Sequence, residues 1–171
     1  SKEAVENARN KVAHLINAQP KEVFFTAGGS EADNWAVFGI CDALKDKGNH
    51  IITTEIEHHA MLHTFEYLAK RGYEVTYLPV EADGRVNPEV FEKAIKDNTI
   101  FASIMMVNNE VGTIEPIKEL AAIAKKHGLP VVVDNTFGTP YLFRPIEHGA
   151  DIVVHSATKF IGGHGTVMGG V

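Results

Sequence analysis

A lysine follows a short apolar run near the end of the sequence, in the segment ADIVVHSATKFIGG at positions 150–163. The β-branched residues 152–154 predict a buried strand, and Ser156, Thr158 and Lys159 come directly after it. A strand that delivers an amine at its carboxyl end, beside hydroxyls and flexible glycine backbone, suits the binding of an anionic electrophilic ligand. An ordinary strand-to-loop junction with a surface lysine is the alternative interpretation of this segment alone.

A glycine-rich helix start could supply an anion site. Positions 28–30 read Gly-Gly-Ser and lead directly into an apolar helical pattern. Backbone N–H groups and the positive end of the helix dipole would face a phosphate there, and Ser30 could add its hydroxyl. Simple N-capping by Ser30 is the alternative. No Gly-Lys-Ser/Thr follows, which excludes a P-loop.

A carboxylate follows another β-branched run. Asp134 is predicted to be partly buried, so it requires a cationic partner such as a protonated ring nitrogen. A backbone cap, or an ion pair with Lys159, would satisfy it equally well. If Phe160 and Ile161 remove water from Lys159, the amine becomes a better nucleophile toward a carbonyl.

Two adjacent histidines follow a third strand and start a helix. We expect one of them, His58, to face the site and His59 to face solvent. An imidazole can stack on an aromatic ligand and can transfer protons near neutral pH. No carboxylate and histidine set has helical spacing around this pair, so no metal site is predicted.

Alternating strands and helices must position these residues. The pattern predicts an α/β fold, a mostly parallel sheet with helices on both faces, in which ligand groups gather at the carboxyl ends of the strands. The first helix is expected to bury one apolar face, formed by Val5, Ala8, Val12, Leu15 and Ile16. The predicted strands lie at 23–26, 50–54, 74–80, 100–107, 130–134 and 151–155, with the start of another at 167–171.

Composition limits the classes of function. With 171 residues, 44% of them hydrophobic, the chain is predicted to form a single domain over residues 1–171. The net charge of −6 offers no basic surface for nucleic acid. No run is long enough for a membrane and no signal-peptide pattern is present, so a soluble, cytoplasmic protein is predicted. The single cysteine, Cys41, excludes an intramolecular disulfide and is expected to be a core residue.

Together these features describe a pyridoxal 5′-phosphate site: an anion cradle, a lysine nucleophile, a carboxylate for a pyridinium nitrogen, an imidazole to stack and an asparagine to donate a hydrogen bond. Residues 1–128 resemble cysteine desulfurases of fold-type I, in the aminotransferase class V group. The resemblance is carried by FFTAGGSEADNWAV, HIITTEIEHHAML and FASIMMVNNEVGTIEPIKELAAIAKKHG. It implies the large, cofactor-binding domain of these enzymes.

Residues 129–171 resemble a different pyridoxal-phosphate family of the same fold. VVVDNTFGTPYLFRPIEHGADIVVHSATKFIGGHG is similar to the Cys/Met-metabolism enzymes, the cystathionine lyases and synthases. A change of family near residue 129 suggests a chimeric, reconstructed or designed chain.

The resemblance implies a role for each site residue. Lys159 would form the Schiff base with the cofactor, Asp134 would contact the pyridine nitrogen, and Asn109 would lie beside the ring 3-hydroxyl. His58 would stack on the ring and carry protons. The phosphate would be held by Gly29, Ser30, Ser156 and Thr158. The desulfurase pattern has a glutamine where Phe137 stands, so one hydrogen bond to the ring oxygen is not expected.

Two departures bear on activity. Enzymes of these families are much longer, and the small carboxyl-terminal domain, with its carboxylate-binding arginine, and the mobile-loop cysteine both lie beyond the lysine. We therefore expect desulfurase-like chemistry on cysteine or a related small amino acid to be weak or absent. Elimination from the β or γ carbon of sulfur amino acids, a non-catalytic scaffold and a Rossmann-type nucleotide binder are the alternatives. Self-association, as a homodimer, is also expected.

Overall fold

The structure is a computed structural model and describes residues 2–171; Ser1, which belongs to the predicted domain 1–171, lies outside the described residues. Its centre is a five-stranded sheet in the order β2-β1-β3-β4-β5, and every pairing within it is parallel. The strands are β1 (His50–Thr54), β2 (Glu74–Leu78), β3 (Thr99–Ser103), β4 (Val131–Asp134) and β5 (Ile152–Val154). The predicted α/β fold with a parallel sheet is confirmed.

Helices precede the first strand and connect each strand to the next. They are α1 (Lys2–Ile16), α2 (Gly29–Leu44), α3 (His59–Lys70), α4 (Pro88–Ala94), α5 (Ile117–Lys126) and the single turn α6 (Thr139–Leu142), with 3-10 turns at Pro20–Glu22 and Pro145–His148. Local sequence sets several ends. Asn87 caps α4 by accepting a hydrogen bond from the Glu89 N–H at 2.9 Å, ahead of a proline in the first turn. Gly128 follows α5 with a φ of 68°, which favours glycine.

The sheet separates two apolar clusters. Successive strand side chains point to opposite faces, so Ile51 and Phe101 join one cluster while Ile52 and Ala102 join the other. Buried residues of α2 and α3 complete the first cluster, and those of α4 and α5 complete the second. Cys41 lies in the first cluster and is 3% exposed, as predicted for a core residue. Burial raises the pKa of its thiol to about 11.

The predicted strands at residues 23–26 and 167–171 are wrong in extent. Each reduces to an isolated antiparallel bridge, in which Gly170 pairs with Thr26 on one side and with Ser156 on the other. A Cβ at Gly170 would lie 2.3 Å from Thr26 Oγ1 and 2.4 Å from the Gly28 carbonyl oxygen. Only glycine allows this close approach, which joins the chain end to the start of α2.

The prediction that α1 buries an apolar face is also wrong. Ala13 is the buried residue of this helix, whereas Val5 is 46% and Leu15 is 40% exposed. The main contacts of the helix are with the Pro20–Glu22 turn and α6, so little covers its apolar positions. None of the helices within residues 2–171 has the length and apolar character needed to cross a membrane.

Candidate active site

One cavity, of about 740 Å³, lies at the carboxyl ends of the strands. Because all five strands are parallel, the loops that leave them meet at the same edge of the sheet. Every residue predicted for the site lines this cavity: Gly29, Ser30, His58, Asn109, Asp134, Ser156, Thr158 and Lys159. The residues from His58 to Lys159 follow strands of this sheet, whereas Gly29 and Ser30 start α2, so residues separated by up to 130 positions in the sequence meet at one cavity.

The start of α2 forms one wall. The Gly28 carbonyl accepts the first intrahelical bond, from the Ala32 N–H at 3.1 Å, so the N–H groups of the preceding positions have no partner inside the helix. Gly28 is the N-cap, and the alternative in which Ser30 caps the helix is not observed. A Cβ at Gly29 would lie 2.7 Å from the Ser156 Cβ, so the helix start approaches the end of β5 closely.

The loop after β5 supplies the hydroxyls and the amine. Ser156 donates its N–H to Thr136 Oγ1 at 2.8 Å. Thr158 Oγ1 both donates to the Gly169 carbonyl, at 3.2 Å, and accepts the Gly169 N–H, at 3.0 Å. Thr158 therefore also anchors the returning chain end, a contact that its position in the sequence did not indicate.

Lys159 is exposed, and its two apolar neighbours do not remove water from it. Phe160 is 58% and Ile161 is 39% exposed. The ring of Phe160 packs edge-on against Phe137, with 5.4 Å between the ring centroids. The predicted desolvation of the amine by this pair is wrong, because Phe160 packs on the side chain across the loop.

Asp134 is partly buried, as predicted. Its Oδ1 accepts the Thr136 N–H at 2.9 Å, so one oxygen performs the backbone-capping role that was an alternative. Among the ion pairs of residues 2–171, none joins Asp134 to Lys159. The Asp134 carboxylate thus lines the cavity and forms no ion pair with the described residues.

The two adjacent histidines take different positions. His58 is the N-cap of α3, and its Nδ1 accepts the Ala60 N–H at 3.1 Å. An Nδ1 that accepts cannot carry the proton, so in the neutral ring the proton lies on Nε2. His59 instead stacks on His63, with 5.8 Å between ring centroids, and does not line the cavity.

Asn109 lies in the loop after β3, and hydrogen bonds of its neighbour Asn108 set the conformation of that loop. Asn108 is 7% exposed, and its Oδ1 accepts the N–H groups of Glu110, at 3.0 Å, and Val111, at 2.9 Å. Its amide donates to the Ile56 carbonyl at 3.0 Å. Asn108 therefore fixes the turn, and Asn109 lines the cavity.

Sequence reasoning missed two acidic residues at this end of the sheet. Asp33 lines the cavity and is 4% exposed, and burial, with a smaller contribution from Asp134, raises its pKa from 3.8 to about 8. Glu57 is 5% exposed, and burial likewise raises its pKa to about 8, although the Met105 N–H donates to it at 2.7 Å. Asp33 follows Gly29 by four positions, the spacing that places both on one helix face, and this signal could have identified it.

The chain belongs to the aminotransferase class-V family, whose profile matches residues 1–168. Cysteine desulfurase IscS of Clostridium botulinum is 48% identical over 166 residues, which are 96% of this chain and 42% of that protein. Cysteine desulfurase IscS of Methanosarcina thermophila is 54% identical over 127 residues, 74% of this chain and 31% of that protein. The chain thus spans less than half the length of these curated relatives.

Solved structures give the same assignment. A NifS-like protein superposes with a TM-score of 0.88 at 37% identity, over 96% of this chain and 45% of that one. SspA in complex with cysteine superposes with a TM-score of 0.85 at 33% identity, over 91% of this chain and 45% of that one. The parallel sheet and its helices are those of the large cofactor-binding domain of cysteine desulfurases, and proteins of this family depend on pyridoxal 5′-phosphate.

The family match also bears on the predicted change of family near residue 129. The class-V profile and the Clostridium botulinum relative both extend well past this position. They give no support to a segment from the Cys/Met-metabolism family or to a chimeric origin.

The residues that line the cavity fit this cofactor. A phosphate is bound by unpaired backbone N–H groups and by hydroxyls, which the start of α2 and Ser156 can supply. These two segments lie so close together that a side chain at Gly29 would fill the space between them. An aldehyde needs an amine, and a pyridine nitrogen needs an acid, and Lys159 and Asp134 line the same cavity.

Proposed function

We propose that this chain binds pyridoxal 5′-phosphate in the cavity and is the cofactor-binding part of a cysteine desulfurase. The observation that carries the proposal is that eight residues predicted from separate loops line one cavity of about 740 Å³. When bound, pyridoxal phosphate supplies an aldehyde and a ring that withdraws electrons from an attached amino acid.

Different residues of the chain would bind different parts of the cofactor. Lys159 would hold it through its amine and Asp134 through the ring nitrogen, while Asn109 would donate to the ring 3-hydroxyl. The N–H groups at the start of α2 would bind the phosphate, together with the hydroxyls of Ser30, Ser156 and Thr158. Gly29 would let this wall approach the phosphate without obstruction.

His58 and Lys159 would move the substrate proton. While Nδ1 of His58 accepts the Ala60 N–H, the neutral ring carries its proton on Nε2 and can donate a hydrogen bond there. To take up a substrate proton, Nδ1 would have to release the Ala60 N–H. A released Lys159 amine would take the proton from the α carbon of the substrate. His58 would also cover one face of the ring.

Cysteine is the proposed substrate, since the relatives are named cysteine desulfurases and one structural neighbour is described in complex with cysteine. We expect turnover by this chain to be weak. No arginine is among the described residues that line the cavity, so the substrate carboxylate has no guanidinium partner there. The Schiff-base lysine is also exposed to water.

A borohydride experiment tests cofactor binding. The protein is mixed with pyridoxal phosphate, reduced and digested, and the modified peptide is sequenced. We expect the label on Lys159 and its loss in Lys159→Ala, but not in Lys45→Ala, which removes an exposed lysine paired with Asp42. Label on another lysine, or none, would contradict the proposal.

The products from cysteine identify the reaction. With an added thiol to accept the sulfur as a persulfide, desulfuration leaves alanine, whereas elimination from the β carbon leaves sulfide, pyruvate and ammonia. We expect alanine at a low rate. Pyruvate would favour the elimination reaction, and bound cofactor without either product would favour the non-catalytic scaffold.

Self-association is proposed from exposed aromatic surface. Trp35 is 55% and Phe24 is 54% exposed, and the two rings pack edge-on at 5.3 Å. Apolar surface of this kind favours a second copy as partner. Light scattering should give at least a dimeric mass, and a monomer at micromolar concentration would remove the proposal. The single domain over residues 1–171 and the cytoplasmic location stay predictions.

A further inference from the structure

Asp33 is a carboxyl of the cavity that none of the proposed cofactor contacts uses. It lies on α2, is 4% exposed and lines the cavity. Its Oδ1 is buried without a hydrogen-bond partner. A buried acid with an unsatisfied oxygen is costly in its ionised form, because neither water nor a donor stabilises the charge.

Three acids from three elements meet at this wall. Asp33 comes from α2, Glu57 from the loop before α3, and Asp134 from the end of β4. Negative charge on Asp134 opposes ionisation of both Asp33 and Glu57. Within residues 2–171 no ion pair involves any of the three. The titratable groups that line the cavity are Asp33, Asp134, His58 and Lys159, and Glu57 is not among them.

The three carboxyls differ in how well they can hold a charge. Asp134 is partly exposed and accepts the Thr136 N–H. Glu57 is almost fully buried, and its Oε2 has no partner although Oε1 accepts from Thr54 Oγ1 and from the Met105 N–H. Asp33 has no hydrogen bond on its buried oxygen at all. The negative charge therefore belongs on Asp134, and protons belong on the other two.

We propose that Asp33 faces the cavity as an uncharged carboxylic acid and is a positioning residue that keeps Asp134 the single negative charge on this wall. The inference deepens the proposed function and rests on it, since the charge on Asp134 is what would hold the ring nitrogen. When Asp33 ionises at alkaline pH, the wall gains a second negative charge. A ligand that carries a phosphate dianion and a net negative charge should then bind more weakly.

Carboxyl ¹³C NMR of the protein without cofactor tests the charge state directly. We expect Asp33 to titrate above neutral pH and its signal to be missing in Asp33→Asn. Titration of Asp33 close to the ordinary aspartate value of 3.8 would overturn the proposal. Because the wild-type protein suffices once its signals are assigned, the result does not depend on the folding of a variant.

The dissociation constant of pyridoxal phosphate between about pH 6.5 and 9 tests the consequence. Asparagine mimics the protonated acid, so Asp33→Asn should bind within about twofold of wild type at pH 7 and exceed it by roughly tenfold at the alkaline end. Ionisation of the free phosphate affects both proteins equally and cancels in this ratio. Asp46→Asn, which changes an exposed acid after α2, should follow wild type throughout.

Two results would contradict the proposal. A loss of more than about tenfold in Asp33→Asn at pH 7 would mean that Asp33 binds the ligand as an anion. If the ratio of the two dissociation constants does not change with pH, ionisation of Asp33 does not affect cofactor binding. If neither protein binds the cofactor, the proposed function fails, while the NMR titration still decides the charge state of Asp33.

Discussion

Buried polar groups differ in hydrogen bonding between the amino and the carboxyl ends of the central strands. At the amino end, His50 is fully buried, and both ring nitrogens are hydrogen-bonded, Nδ1 with Thr99 Oγ1 at 2.7 Å and Nε2 with Thr76 Oγ1 at 2.8 Å. At the carboxyl end, Asp33 and Glu57 are nearly as buried, yet each has an oxygen without a partner. The polar groups at the amino end are hydrogen-bonded within the protein, whereas those at the carboxyl end have unpaired oxygens that a ligand could bind.

Burial has opposite consequences for the charges of these groups. Burial, followed by the charge of Lys96, lowers the pKa of His50, so the ring is neutral and matches two hydroxyls that can each donate or accept. Burial raises the pKa of Asp33 and of Glu57, so these acids keep protons near neutral pH. The amino end should therefore govern stability, and the carboxyl end should govern ligand binding and the pH dependence.

The largest effect is expected at the carboxyl end, from Asp134→Ala. Loss of the carboxylate opposite the ring nitrogen should cost roughly 2–5 kcal/mol of cofactor binding, which is about thirtyfold or more in the dissociation constant. Titration by absorbance measures this change. The melting temperature without cofactor should stay close to that of wild type, and unchanged affinity would contradict the role of Asp134.

At the amino end, His50→Ala should affect folding instead of binding. Removing a fully buried ring leaves a cavity and takes one hydrogen-bond partner from each of Thr76 and Thr99, although Thr99 Oγ1 still accepts the Lys96 N–H. This loss should lower the free energy of unfolding by about 2–4 kcal/mol. For a chain of this size the melting temperature should fall by about 4–16 °C. His14→Ala, at an exposed position on α1, is the control. A weakened cofactor affinity with an unchanged melting temperature would reverse the comparison between the two ends.

Per pH unit, the pH dependence of stability should be smaller than the effect of His50→Ala, and it should come from the carboxyl end. The folded protein holds a proton on Glu57 between its ordinary pKa of 4.5 and about 8, whereas the unfolded chain does not. Stability is therefore greatest below pH 4.5 for this group and falls as pH rises toward 8, by at most about 1.4 kcal/mol per pH unit.

Glu57→Gln keeps an acceptor for the Met105 N–H and removes this titration. We expect a variant that is more stable than wild type at pH 7 and whose melting temperature changes less between pH 5 and 8. Glu55→Gln, an exposed neighbour, should leave the slope unchanged. An identical slope in Glu57→Gln and wild type would show that the carboxyl is ionised throughout.

The smallest effect is expected from a charge at the surface of the amino end. Lys96 pairs with Glu74, and both side chains are about half exposed. Solvent and salt screen such a pair, so Lys96→Ala should change neither the melting temperature nor the cofactor affinity measurably. A clear drop in melting temperature would mean that the surface pair supports His50 and Thr76 beneath it.

Much of the architecture and of the site could be predicted from the sequence. The positions of β1 and β5 follow from β-branched runs, and Asn87-Pro88 marks the start of α4. The strand-end rule selected eight of the residues that line the cavity. Six of them follow strands of the parallel sheet, whose carboxyl ends must share one edge, whereas Gly29 and Ser30 start α2. Their roles toward the cofactor stay predictions.

Other features depend on contacts between distant segments. The spacing of Val5 and Leu15 predicted burial, but both side chains are exposed. Asp33 reads as an ordinary helix residue until α2 packs against β3 and β5, which brings it within the influence of Asp134. The exposure of Lys159 likewise depends on where Phe160 packs, which local sequence does not specify.

By itself the sequence determined the order of strands and helices and the set of chemical groups at the strand ends, since periodicity and residue type act locally. The tertiary structure alone decided which of those groups lost water and which kept it. That outcome depends on segments more than a hundred residues apart, and it separates an uncharged Asp33 from a charged Asp134 on the same wall.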